Sequence, residues 1–206
     1  SYGPRRGEAV RVAVLCYEGF DELDAVGPYE VFAEATSRGA DLSVRLLTVR
    51  DRDQVTAAHG LRVEQDGRLP DPGAPDAPGL VVAPGGGWND RTDTGAWAEA
   101  ERGVVPDALA SHHAAGAVVA GVCTGGMLLS RAGLLTGRPA TTHHGALSDL
   151  RETDAEVREE RVVDDGDVVT AGGITSGLDL ALHFVEREES ADLAEAVAVN
   201  MEYDRR

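Results

Sequence analysis

Apolar residues fall in short runs, separated by stretches whose apolar positions recur with helical spacing, and that alternation sets the expected fold. Residues 10–16, Val-Arg-Val-Ala-Val-Leu-Cys, are apolar at every position after Arg11, as expected of a strand covered on both faces. Runs at 42–49, 80–83 and 117–122 predict further strands, and weaker ones at 160–163 and 168–171 predict two more. Segments 55–57 and 61–63, joined through His59-Gly60, read as a hairpin. Behind Gly27-Pro28 a helix is expected over 29–36, because proline suits a first helical turn. Residues 94–113 read as a helical stretch broken or kinked at Pro106. A helix over 124–132 follows the 117–122 strand directly, and a short one lies just beyond His144. In the last part, Leu178, Ala181, Leu182 and Val185 fall at i, i+3, i+4, i+7, and Leu193, Val197 and Met201 fall four apart. Each set marks one apolar helix face. Residues 67–79, rich in Pro, Asp and Gly, read as a loop.

Strands alternating with helices predict an α/β domain with a mainly parallel sheet. One domain over 10–206 is expected, preceded by a flexible tail over 1–9. In such a sheet ligands bind beyond the carboxyl ends of the strands. Three ends carry suggestive residues: 18–24, 84–87 and 123.

Charge narrows the partners. The chain carries 36 acidic residues against 19 basic ones, all arginine, for a net charge of −17. Such a chain repels nucleic acid and anionic membranes. The acids are scattered among apolar residues, so they describe a folded protein with an acidic coat rather than a disordered tail. That coat fits a salt-loaded cytoplasm, where surface repulsion is screened, and hence a halophilic source. Two cysteines, Cys16 and Cys123, are too few for a disulfide framework. With no secretory signal pattern and no apolar run near the ~20 residues that span a bilayer, a cytoplasmic protein is expected.

The most informative chemistry is Gly121-Val122-Cys123-Thr124-Gly125. A cysteine between two glycines, at a strand-to-helix junction, is the nucleophile-elbow pattern drawn with sulfur. The glycines are expected to permit the sharp turn, and the helix behind them to favour the thiolate. An isolated cysteine is otherwise most often a small core residue. Asp24 is the acid expected beside it, although an acid ahead of Gly27-Pro28 also suits a helix cap; Glu18 is the fallback. Pro84-Gly-Gly-Gly87 lacks the G-x-G-x-x-G spacing of a dinucleotide site. His143 and His144 are adjacent, point apart in an extended segment, and lack partners at metal-ligand spacing. No metal site is therefore expected, and His143 is kept as a pocket-lining residue. Trp88 can wall a pocket or cover an interface.

Taken together, residues 23–28 (Leu-Asp-Ala-Val-Gly-Pro), 83–86 (Ala-Pro-Gly-Gly), 122–125 (Val-Cys-Thr-Gly), 132–135, 140–143, 170–175 and Glu202-Tyr203 resemble the ThiJ/PfpI superfamily, and within it the isocyanide hydratase branch. The resemblance implies a flavodoxin-like three-layer α/β sandwich, Cys123 as nucleophile and Asp24 as the acid that meets its sulfur. It also implies that Gly86 and Gly87 present backbone N–H groups as an oxyanion hole, and that Thr124 lines the pocket. The activity implied is cofactor-free hydration of an isocyanide to an N-formamide in a homodimer, with a small molecule as substrate. Glyoxalase-like action on 2-oxoaldehydes and a non-enzymatic cysteine redox sensor are the alternatives. His183 is not followed by the His-x-Glu pair of glutaminase relatives, and Thr124 stands where protease-like relatives place histidine.

Overall fold

A computed structural model describes residues 8–206. In chain order the elements are β1 (Val10–Leu15), α1 (Glu22–Ser37), β2 (Leu42–Thr48), β3 (Val55–Thr56), β4 (Arg62–Val63), β5 (Gly67–Arg68) and β6 (Leu80–Ala83). There follow α2 (Ala96–Arg102), α3 (Val104–Ala114), β7 (Val118–Val122), α4 (Gly125–Arg131), β8 (Pro139–Ala140), a 3-10 turn (His144–Ala146) and α5 (Leu147–Arg151). The last are β9 (Glu156–Val157), β10 (Val162–Asp164), β11 (Val168–Ala171), α6 (Ser176–Glu188) and α7 (Ala191–Asn200). The tail expected over 1–9 lies, as far as residue 7, outside the described residues.

Seven strands form one sheet in the order β10-β11-β7-β6-β1-β2-β5. Every pairing in it is parallel except β10 with β11. The chain steps from β1 to β2 in one direction and from β6 to β7 in the other. Right-handed crossovers therefore put α1 on one face and α2–α3 on the opposite face. Accordingly α1 packs with α6 and α7, while α2, α3 and α4 pack together. This is the flavodoxin-like α/β sandwich expected. The inner strands β6, β7 and β11 are buried at every position, so their near-continuous apolar runs have no solvent face to alternate with. The order reverses between β1 and β6, and the carboxyl ends of β1, β6 and β7 open onto that switch point.

Packing overrode two local rules. The helix expected over 29–36 begins seven residues earlier, at Glu22, and holds Pro28 inside it. A proline there forfeits the N–H bond to Asp24 O and crowds that carbonyl, but its ring seats against the α6 backbone: a Cβ on Gly177 would lie 3.2 Å from Pro28 Cγ. The consequence is functional, because Asp24 moves from a loop into the first turn of α1. The 94–113 stretch is two helices, broken not at Pro106 but at Gly103, whose φ of +81° only glycine adopts readily. Pro106 sits in the first turn of α3, where its missing N–H costs nothing. The loop expected over 67–79 opens with β5, which adds a short parallel edge to β2.

Candidate active site

The strain of the elbow falls on the cysteine itself. Cys123 has φ +58°, a left-handed conformation costly for a residue with a Cβ. The flanking glycines serve close approach instead. A Cβ on Gly121 would lie 2.7 Å from Gly126 N, and one on Gly125 would lie 2.0 Å from the Ala83 carbonyl oxygen. The turn is held from behind by Cys123 N–H, which donates to Gly172 O at 3.0 Å, and by Thr142 Oγ1, which donates to Cys123 O at 2.8 Å. Only 5% of Cys123 is exposed.

Asp24 is the acid that α1 brings beside this sulfur, close enough that each group shifts the other's proton affinity. It is fully buried. Its Oδ2 accepts from Gly85 N–H at 3.0 Å, while Oδ1 is buried with no hydrogen-bond partner among the described residues. Burial, with the nearby Asp21 charge adding to it, pushes the Asp24 carboxyl up to about 8. Burial and the Asp24 charge likewise push the Cys123 thiol up to about 12, against backbone N–H groups of Ile174 and Thr124 that favour the thiolate. This differs from the helix-stabilised thiolate expected. The helix behind the elbow, α4, is only seven residues long, and desolvation of the sulfur outweighs it. At neutral pH the pair holds its protons. Fallback Glu18 points elsewhere: its Oε1 accepts from Thr56 N–H and Arg52 on the β3 side.

The glycine loop after β6 lies against the elbow, and a Cβ on Gly85 would meet Thr124 Oγ1 at 2.3 Å. Gly86 N–H does not face the site as a free oxyanion donor. It donates to Thr124 Oγ1 at 2.8 Å, which leaves the Thr124 hydroxyl proton available for another acceptor. Gly87, with φ +63°, keeps an N–H that no hydrogen bond among the described residues uses. Tyr17, not singled out from the sequence, braces the loop by donating its hydroxyl to Pro84 O. Burial and the charges of Asp24 and Cys123 hold that phenol in its neutral form. Only its position directly after the first strand hinted at this.

His143 borders the site from the segment after β8. Its Nδ1 accepts from Gly145 N–H at 3.0 Å, so Nε2 carries the proton, and its ring lies against Gly173. Burial and His144 lower its basicity. Trp88 faces away from the elbow. Its Nε1 donates to Asp149 at 2.8 Å, and its ring meets Trp97 edge-on, beside a cavity of about 470 Å³ whose walls include Arg91 and Arg131 but not Cys123. Among the described residues, Asp21, Glu22 and His59 bring three ligand-type atoms within 4.8 Å of one another. There Glu22 is engaged by the backbone N–H groups of His59 and Leu61 and ties the hairpin to α1.

A strained cysteine at the strand-to-helix elbow, met by a carboxyl from the first helix, accords with the sequence pattern of the DJ-1/PfpI family, which matches residues 10–187. The chain belongs to the DJ-1/PfpI family. Among curated DJ-1/PfpI relatives, "Isonitrile hydratase" of Pseudomonas putida is 34% identical over 196 residues, 95% of this chain and 79% of that protein. "Parkinson disease protein 7 homolog" of Danio rerio is 27% identical, over 91% of this chain and 94% of its own length. A crystal structure of a ThiJ/PfpI family protein from Pseudomonas syringae superposes with TM-score 0.82 at 29% identity, covering 97% of this chain and 77% of that one. No helix among the described residues is long and apolar enough to cross a membrane.

Proposed function

We propose that this protein hydrates isocyanides to N-substituted formamides, with Cys123 as nucleophile and Asp24 as general acid. The observation that carries the reading is the buried Asp24 carboxyl, holding a proton near neutral pH beside a strained cysteine. An isocyanide carbon needs both things such a pair offers: a proton and a sulfur electron pair. In this reading Asp24 gives its proton to the terminal carbon as Cys123 sulfur forms the C–S bond. The thiol proton then returns to the carboxylate, leaving a thioimidate. Water adds to its C=N carbon, the C–S bond breaks back to the thiol, and the formamide leaves. The sum is one isocyanide and one water to one formamide, with no other reactant. Gly87 N–H and the Thr124 hydroxyl proton are the donors available to negative charge developing on nitrogen or oxygen. Similarity to a protein named isonitrile hydratase over nearly the whole chain supports the same reaction. We take the functional unit to be a cytoplasmic homodimer, which sedimentation equilibrium checks.

The test is turnover of a simple alkyl isocyanide in high salt, read as the formyl proton signal of the product. Wild-type protein is expected to make formamide, Cys123→Ala none, and Asp24→Asn at least ~100-fold less. A folded wild-type protein that leaves the isocyanide untouched refutes the assignment, and glyoxals and then peroxide become the electrophiles to try.

A further inference from the structure

Two contacts on the elbow come from residues 172–175, Gly-Gly-Ile-Thr, the link between β11 and α6. Gly172 O accepts Cys123 N–H at 3.0 Å, and the backbone N–H of Ile174 favours the Cys123 thiolate. Yet this link holds two consecutive glycines, and Ile174 and Thr175 are exposed. At its far end the Gly173, Ile174 and Thr175 carbonyls accept from the N–H groups of Ser176, Gly177 and Leu178, so that end runs into the first turn of α6. Its tie back toward the sheet is one residue just ahead of β10. Arg161 O accepts Gly172 N–H at 3.0 Å, and the Arg161 guanidinium donates to Thr175 Oγ1, also at 3.0 Å. Both ends of the link are gripped from the same point.

The guanidinium is itself fixed. Its Nε donates to Asp179 Oδ2 at 2.7 Å and a terminal nitrogen donates to the Tyr203 hydroxyl at 3.0 Å. Asp179, 3% exposed, also accepts from the Tyr203 hydroxyl and from Arg206 N–H. A planar fork seated on a buried carboxylate has little freedom to swing, which is the difference between an arginine and a lysine at such a place.

We propose that Arg161 is a positioning residue for Cys123, clamping the 172–175 link at both ends so that Ile174 N–H keeps its place beside Cys123. It touches neither the sulfur nor a substrate. Its effect is on how readily Cys123 gives up its proton, whichever electrophile the thiol attacks, so the inference goes beyond the hydratase reading.

Thr175 gives a clean perturbation. Its side chain makes no capping bond to α6, and among the described residues its hydroxyl meets only Arg161. Thr175→Val therefore removes the link's side-chain tie to Arg161 and leaves the Arg161–Asp179 pair and the backbone bonds into α6 whole. The measurement is the alkylation rate of Cys123 by iodoacetamide against pH, read by intact mass, in a Cys16→Ala background. The other titratable groups around the sulfur, Asp24 on α1, Asp21 just ahead of it and Tyr17 after β1, are the same in every variant.

Losing a donor to the thiolate is expected to slow alkylation by about three- to tenfold at a given pH and displace the profile upward. Arg161→Met should act in the same direction and more strongly, and Arg161→Lys should recover part of the rate. A merely structural role predicts the opposite sign, because a loosened fold exposes the cysteine and speeds its alkylation. An unchanged or faster rate in Thr175→Val overturns the proposal, and that exposed substitution decides the matter even if Arg161→Met does not fold. No isocyanide enters the assay, so its outcome is independent of whether the hydratase reading stands.

Discussion

Asp24→Asn replaces a carboxyl that keeps its proton up to about pH 8 with an amide of the same shape that never ionises. In the unfolded chain this aspartate loses its proton near its ordinary value of 3.8. Between those two values the native state binds one proton more than the unfolded state, so stability falls as pH rises. The contribution is complete below about pH 4 and is lost as pH climbs through about 8. The whole span is on the order of 5 kcal/mol, at up to ~1.4 kcal/mol per pH unit. The amide removes this term and still accepts from Gly85 N–H, as Asp24 Oδ2 does at 3.0 Å. Urea unfolding of both proteins from about pH 5 to about pH 9 isolates it, because every other group is common to the two. Relative to wild type, the Asp24→Asn variant is expected to gain roughly 1 kcal/mol per pH unit up to about pH 8, and then to level off. Parallel pH dependences would refute the reasoning. Asp24 would then be ionised in the folded protein at neutral pH, and it could not be the proton donor of the proposed reaction.

Thr124→Val removes the acceptor of Gly86 N–H and strands that amide against an apolar side chain. A loss of ~1–2 kcal/mol in stability is expected by denaturant titration, with turnover falling more steeply than stability. Gly125→Ala sets a methyl 2.0 Å from the Ala83 carbonyl oxygen, where two backbones meet and neither can yield. A destabilisation of ~3 kcal/mol or more is expected, and a Tm within a degree of wild type would show that the elbow tolerates separation from β6. Raising KCl from about 0.1 M to about 1 M shortens the screening length from ~10 Å to ~3 Å, and a net charge of −17 makes the Tm rise with it. A Tm that falls or stays flat over that range removes surface repulsion as a significant term.

The chain by itself determined the layered α/β plan, because strand and helix periods are local and the buried central strands read as continuous apolar runs. It also marked the elbow, since few sequences place a cysteine between glycines at a strand-to-helix junction, and it favoured Asp24 over Glu18 through the residues around it. Tertiary structure decided the rest. Pro28 lies inside α1 because α6 receives its ring, and that shift carries Asp24 into the helical turn facing Cys123. Gly86 N–H is taken by a hydroxyl 38 residues away, and Arg161 reaches partners 14, 18 and 42 residues distant. Both proton affinities are raised by burial that no local pattern records. Periodicity reports which face of an element is covered. Desolvation and hydrogen-bond partnership depend on what covers it, and those neighbours meet only once the sheet has closed its layers.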